Sequence, residues 1–253
     1  MVGVSRPSGS GAAVAAALRR ETGNADVHHL GADLSRPDEA RSMAQEFSRR
    51  FERLDVLVAN AGALAYRRTE TEDGLERTFA LNHLGSFMPT VLLLPQLIAS
   101  PAGRVVVVTS NAAHFGRLQL DDPQTTRRYD AFRAYAWSKL ANVLFTLELA
   151  RRLEGTRVTA NAVHPGFVAT KFGHDGGFMA RMVQLSQRIA GRSPERGAET
   201  PVWLATSPEV AGVTGGYFVD RRRQEPPRLA RDEEAQRHLW RLSERLTGVD
   251  AAA

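Results

Sequence analysis

The sequence predicts a doubly wound α/β domain, a parallel sheet with helices on both faces, and three observations predict it. Short apolar runs of strand character alternate with longer stretches of helical character. Two of those runs, LDVLVANAG (54–62) and GRVVVVTS (103–110), are apolar without alternation, as strands covered on both faces are. The chain is 253 residues long and 43% hydrophobic, enough for one domain with a full core, and it holds no internal repeat and no low-complexity linker.

Each element has its own signal. ADVHHLGADL (25–34) reads as a strand. SRPDEARSMAQEFSRRF (35–51) reads as a helix, with Ser35 as N-cap, Asp38 closing a capping box, and Met43, Phe47 and Phe51 recurring at four-residue steps on its buried face. LDVLVANAG is expected in the middle of the sheet. LERTFALNHLGSFMPTVLLLPQLI is a long helix that Pro89 should kink, because proline removes one ladder donor. GRVVVVTS is a second buried strand, YAWSKLANVLFTLELARRL (135–153) a helix, and RVTANAVHPG (157–166) a strand ending at a Pro-Gly stop. Residues 1–220 form the domain, and 221–253 are expected to be a mobile C-terminal tail with a helix.

Composition excludes several classes of function. With no cysteine there is no disulfide framework, thiolate zinc site or cysteine nucleophile, which fits a reducing cytoplasm. No apolar run approaches the roughly 20 residues that span a bilayer. The net charge of +5 comes from 33 Lys+Arg interleaved with 28 Asp+Glu, and Arg221-Arg222-Arg223 is the one dense cluster. Without an aromatic platform or a binding motif, that charge reads as a solvated surface and not as a nucleic-acid site. His83, His114 and His164 read as loop or packing residues, since no second ligand stands at metal spacing.

The chemistry gathers where ligands bind in open α/β sheets, at the carboxyl ends of strands. Ser110 and Asn60 close two of the strands. Tyr135 and Lys139 open a helix at i,i+4 spacing, which sets phenol and ammonium on one face. An ammonium nearby favours phenolate over phenol, so Tyr135 suits acid–base work, while Ser110 can orient a substrate carbonyl. Such a site interconverts a carbonyl and an alcohol, and the hydride must come from a bound cofactor.

VLVANAG, FALNHLGSF, RVVVVTSNAAH, YAWSKLANVLFTLELARRL, AVHPGFVAT and TGGYFVD follow one another in the order and spacing of the short-chain dehydrogenase/reductase family. From Met1 to about Asp220 the chain resembles that family, and most of all its retinol dehydrogenase-like and WW-domain oxidoreductase-like branch. The resemblance implies a Rossmann-like sheet and an NAD(P)-dependent oxidoreductase, with NADP expected and NAD the alternative, acting on a small apolar aldehyde, ketone or alcohol. It implies that Asn82 holds a water in the proton relay, Ser110 orients the carbonyl, Tyr135 is the general acid–base, and Lys139 lowers the tyrosine pKa and binds the nicotinamide ribose. It also implies that Asn60, Ala61 and Gly62 flank the adenosine ribose and that Asp33 and Leu34 edge the adenine. Pro165, Gly166, Val168 and Thr170 would fix the carboxamide and pyrophosphate. The substrate would be shaped by loop 112–133 and by residues 173–193, an apolar lid or a plain amphipathic helix. A non-catalytic descendant that keeps the fold as a binding or regulatory module is the competing reading.

The opening MVGVSRPSGSGAAVAAALRR has two placements. In one, VGV is the family's first strand and Gly9 and Gly11 belong to its phosphate loop, although Val4 and Ser5 then replace the Thr and Gly of that loop. In the other, preferred because it deletes nothing after Met1, MVGVSR is the second strand and Arg6 stands where NADP-using members keep an arginine. The first strand, its Gly-rich loop and the first helix are then expected upstream of Met1 or lost, leaving the domain N-terminally incomplete. Residues 1–6 should in that case pair with ADVHHLGADL, apart from LDVLVANAG.

Overall fold

A computed structural model describes residues 1–166 and 193–250. The first strand, β1 (Val2–Ser5), leads through helix α1 (Gly11–Thr22) to β2 (His28–Gly31), and the two strands pair in parallel with Val2 opposite His28. They form a two-stranded sheet of their own. This is the arrangement expected of the second placement of the opening stretch.

Helix α2 (Pro37–Arg50) follows, then β3 (Val56–Ala59). Ser35 does not cap α2, contrary to the capping box read from the sequence. Its hydroxyl donates to Asp33 Oδ1 at 2.6 Å, and Arg36 takes the N-cap position without a side-chain bond. Pro37 at the helix start, where a missing N–H costs nothing, and Asp38 and Glu39 in the first turn do the initiating. Met43 and Phe47 are buried as expected.

The main sheet has five strands in the order β3, β4 (Arg104–Val108), β5 (Thr159–His164), β6 (Gly216–Val219) and β7 (Arg222–Gln224). The first four run parallel, and β7 returns antiparallel on β6. Asp220 and Arg221, at φ 50° and 58°, make the two-residue turn of this last hairpin, whose right-handed strand twist demands positive φ at both positions. Contrary to expectation, β3 is an edge strand and not a central one. Among the described residues it pairs only with β4, and Val58 stays 45% exposed. An apolar run without alternation thus reported the composition of a buried strand but not its neighbours.

The long helix read after residue 75 is divided. A short helix α3 (Arg77–Phe79) runs into a π-helical turn (Ala80–Leu84), then α4 (Gly85–Leu92) and α5 (Leu94–Ile98). Pro89 lies inside α4, so the first departure from α geometry is at residue 80, ahead of the proline. Helix α6 (Ala131–Arg152) is buried through most of its length, with Trp137, Leu140, Leu144 and Phe145 at its centre. Helix α7 (Pro194–Thr206) covers the other side of the sheet, packing Leu204 among Val106, Val163 and Phe218.

Helix α8 (Glu233–Thr247) buries Leu239 and Trp240 in the same core that α6 fills. The Arg152 guanidinium lies 4.2 Å from the centre of the Trp240 ring. Residues 221–250 are therefore packed structure and not the mobile tail expected of a chain terminus. No helix among the described residues is long and apolar enough to cross a membrane.

Candidate active site

Parallel strands bring their carboxyl ends to one rim, and the residues singled out from the sequence stand there. Asn60, Ala61 and Gly62 follow β3, Ser110 follows β4, and Pro165 and Gly166 follow β5. Gly166 has φ 88°, which a side chain would oppose. Arg6 follows β1, and Asp33 and Leu34 follow β2. Val168 and Thr170, and residues 173–192 of the expected substrate lid, lie outside the described residues.

Lys139 is buried on the inner face of α6. Its ammonium donates to the Val108 carbonyl at 3.2 Å and lies 5.8 Å from the centre of the Tyr135 ring. Burial pushes its pKa down to about 8. An ammonium carries three donors, and among the described residues the Val108 carbonyl is its one hydrogen-bond acceptor. Gly62 makes room for it: a Cβ there would stand 3.2 Å from Lys139 Nζ and 3.3 Å from Asn82 Oδ1. Unused ammonium donors beside a backbone stripped of side chain fit a ligand rich in hydroxyl groups.

Burial raises the pKa of the Tyr135 phenol, and its hydrogen bond with Ser110 opposes that rise. Ser110 Oγ also accepts from the Ala112 amide at 3.2 Å, which fixes the serine at the start of a 3₁₀ turn (Asn111–Phe115).

Asn82 lies in the π-helical turn, fully buried. Its side chain clamps the segment after β3, accepting from the Ala63 amide at 2.7 Å and donating to the Ala63 carbonyl at 2.9 Å. It also donates to Ser138 Oγ at 2.9 Å. Thr109 Oγ1 donates to the Lys139 carbonyl at 2.7 Å, tying the end of β4 to α6. Neither Ser138 nor Thr109 was singled out from the sequence. Ser138 had a signal there, since it lies on the helix face that carries Tyr135 and Lys139, while the Thr109 contact joins distant segments and had none.

At the other end of the rim, Asp33 is held below the usual carboxylate range. Burial opposes this, but hydrogen bonds from Ser35 and the guanidinium charges of Arg77 and Arg6 outweigh it. Arg6 and Asp33 therefore share one locality. Gly11 serves the packing here: a Cβ on it would collide with the His29 imidazole and the Ser5 hydroxyl, which hydrogen-bond each other at 2.9 Å. Among the described residues, no group of three His, Cys, Asp or Glu side chains could hold a metal.

A family model described as "short chain dehydrogenase" matches residues 1–176. Human retinol dehydrogenase 14 is 43% identical over 220 residues, a match covering 86% of this chain and 66% of that protein. The chain thus spans just under two thirds of that relative's length. Among solved structures, an uncharacterised protein of Mycobacterium paratuberculosis superposes with a TM-score of 0.74 at 29% identity, covering 100% of this chain and 94% of the other. The RhlG/NADP active-site complex of Pseudomonas aeruginosa superposes at 0.64 and 26% identity, covering 86% and 83%. With the parallel sheet, the shared rim and these similarities in place, the chain belongs to the short-chain dehydrogenase/reductase family of NAD(P)-dependent oxidoreductases.

Proposed function

We propose that this chain interconverts an apolar aldehyde or ketone and its alcohol, using NADP(H). The observation that carries the reading is the hydrogen-bonded Ser110–Tyr135 pair beside a buried Lys139 with donors to spare. The nicotinamide cofactor, when bound, supplies or accepts the hydride. Ser110 orients the carbonyl oxygen, and Tyr135 delivers a proton to that oxygen in reduction and removes it in oxidation. The spare donors of Lys139 suit ribose hydroxyls, and turning toward them would bring its charge to bear on the phenol. Asn82 holds the Asn60–Gly62 turn through Ala63.

Arg6, beside Asp33, supports NADP over NAD, because a guanidinium makes paired charge-assisted hydrogen bonds to a 2′-phosphate. Retinol, the alcohol in the name of the human relative, supports an apolar substrate. Phe115 and Phe132, exposed and 6.2 Å apart between ring centres, offer an apolar surface just after Ser110 and just before Tyr135.

The test is NADPH oxidation by the purified chain with retinal and with a series of straight-chain aldehydes. Turnover that rises with chain length supports the reading; no turnover at any cofactor concentration defeats it. One observation favours the non-catalytic alternative: Gly9 lies in the loop after β1 and Gly11 opens α1 in close packing with Ser5 and His29, and β1 is not joined to β3. NADPH binding without turnover, or no binding at all, would favour that alternative.

A further inference from the structure

His83 is fully buried, and no role in the reaction falls to it. Its ring lies among Phe79, Phe87 and Phe145, with centres 5.0, 6.3 and 6.1 Å away. Both ring nitrogens are hydrogen-bonded: Nδ1 to Asn142 Oδ1 at 3.3 Å and Nε2 to Ser243 Oγ at 2.8 Å. Asn142, one turn after Lys139 on α6, sends its amide nitrogen the other way. It donates to the Asn82 carbonyl at 3.0 Å and to the Val108 carbonyl at 3.4 Å. The second of these carbonyls is the one that receives the Lys139 ammonium.

The bonds fix the Asn142 amide and the His83 tautomer. Two carbonyls require the NH₂ of Asn142 on their side, so its oxygen faces His83 and can only accept. His83 Nδ1 must then carry the proton. Burial brings the His83 pKa down to about 4, so the ring is neutral near pH 7 and Nε2 is an acceptor facing the Ser243 hydroxyl, whose single proton it shares with the Leu239 carbonyl at 2.8 Å. The Asn82 carbonyl receives a second side-chain donor as well, Ser86 Oγ at 2.9 Å. That carbonyl belongs to the π-helical turn, a local departure from α geometry of the kind that recurs at functional sites.

We propose that His83 and Asn142 are positioning residues for the reaction, linking Ser243 of the C-terminal helix to the Asn82 main chain and to the carbonyl that seats Lys139. The inference rests on the oxidoreductase reading above. Asn142 pins two backbone carbonyls from different elements, α6 reaching both the π turn and the end of β4. The two carbonyls prevent the Asn142 amide from flipping, since a flipped amide would set oxygen against carbonyl oxygen, and the His83 Nδ1–H anchors the amide oxygen on the far side. The catalytic asparagine and lysine are thereby held in one geometry by groups that touch neither substrate nor cofactor.

Substitution of His83 separates positioning from filling space. Asparagine at 83 keeps a nitrogen donor near the place of Nδ1 but leaves a void in the aromatic cluster. Phenylalanine fills the cluster but has no donor. Activity and stability should therefore rank in opposite orders. His83→Phe is expected to melt higher than His83→Asn yet to lose about 10–100-fold in kcat, while His83→Asn stays within about threefold of the unaltered chain. KM for the aldehyde and for NADPH should hold within about threefold in both. Asn142→Leu, nearly the same shape, gives an independent measure and should lower kcat about tenfold or more with the same KM values. If kcat follows the melting order, with the Phe form at least as active as the Asn form, or if Asn142→Leu keeps full kcat, the inference is overturned while the oxidoreductase reading stands. An unaltered chain that turns over no carbonyl at all defeats the oxidoreductase reading and this inference with it.

Discussion

Lys139 Nζ and the Val108 carbonyl, 3.2 Å apart, join helix α6 to the end of β4, and among the described residues the buried ammonium has no second acceptor. A buried charge with one acceptor is costly to the folded state, and removing it should expose that cost. Lys139→Met is expected to abolish turnover and weaken NADPH binding while melting higher than the unaltered chain at pH 7 without cofactor. The sign follows from linkage. The folded lysine titrates near 8 against 10.5 for the free side chain, so the unfolded chain holds more protons between those values and stability rises with pH across that window. The advantage of the Met form, on the order of 3 kcal/mol below pH 8, should shrink as pH climbs toward 10.5. Denaturant melts at pH 7, 9 and 10.5 read it directly, and a gap that does not narrow would contradict a charged Lys139 in the fold.

Tyr135→Phe removes a transferable proton and little else. Turnover should fall by about 10²–10⁴-fold, the worth of general acid–base catalysis, with the NADPH dissociation constant and the melting temperature nearly unchanged. Single-turnover reduction of an aldehyde, alongside a cofactor titration, checks both halves. Appreciable carbonyl reduction by the Phe form would move the proton transfer to another group.

Much of this site was legible because its residues sit at fixed places on periodic elements. Tyr135 and Lys139 share a helix face, and Ser110 and Asn60 end apolar runs that can only be strands. What escaped the sequence depends on contacts between distant segments. LDVLVANAG has the composition of a central strand, yet its place in the sheet depends on which other strand pairs with it, and among the described residues only β4 does. The π-helical turn at Ala80–Leu84 leaves no mark in hydrophobic spacing, since one extra residue in a turn is a geometric change. Ser35 scored as a cap by position, but Asp33 two residues earlier competes for its hydroxyl. Residues 221–250 read as a tail from their place at the chain terminus, while the apolar stripe of Leu239, Leu242 and Trp240 was what counted.

Arg6 should govern the choice of cofactor. Arg6→Asp removes the guanidinium and brings a second carboxylate toward Asp33, so NADPH affinity is expected to fall at least about tenfold and NADH affinity much less. Parallel titrations with the two cofactors measure the ratio. An equal loss for both would remove Arg6 from the 2′-phosphate site.

His83 predicts an acid limit to stability. Its pKa is about 4 in the fold against 6.5 free, so the unfolded chain gains a proton that the folded chain refuses between those values. The stability it contributes is complete above pH 6.5 and drains away as pH falls toward 4. The groups in contact with the ring are Asn142, Ser243, Phe79, Phe87 and Phe145, and none of them titrates in that range. His83→Phe should therefore flatten the loss of melting temperature between pH 6.5 and 4. An acid limb as steep as that of the unaltered chain would assign the transition to the carboxylates.

The last prediction concerns the space between β1 and β3. These strands belong to separate sheets, and Val4 and Val58 are 36% and 45% exposed. Unpaired strand edges with exposed valines are places where another strand adds readily. Gly9 lies in the loop after β1, and Gly11 opens α1 in close packing with Ser5 and His29, so residues 1–253 are expected to bind NADPH weakly. A longer form carrying a strand, a Gly-rich loop and a helix ahead of Met1 should seat that strand between β1 and β3. It should tighten NADPH binding by about tenfold or more and raise the melting temperature by several degrees. Titration of both forms by NADPH fluorescence decides the matter. Strong binding by the 253-residue form would mean that the loop bearing Gly9 and Gly11 cradles the phosphates after all, and Arg6 would then lose its place beside the ribose.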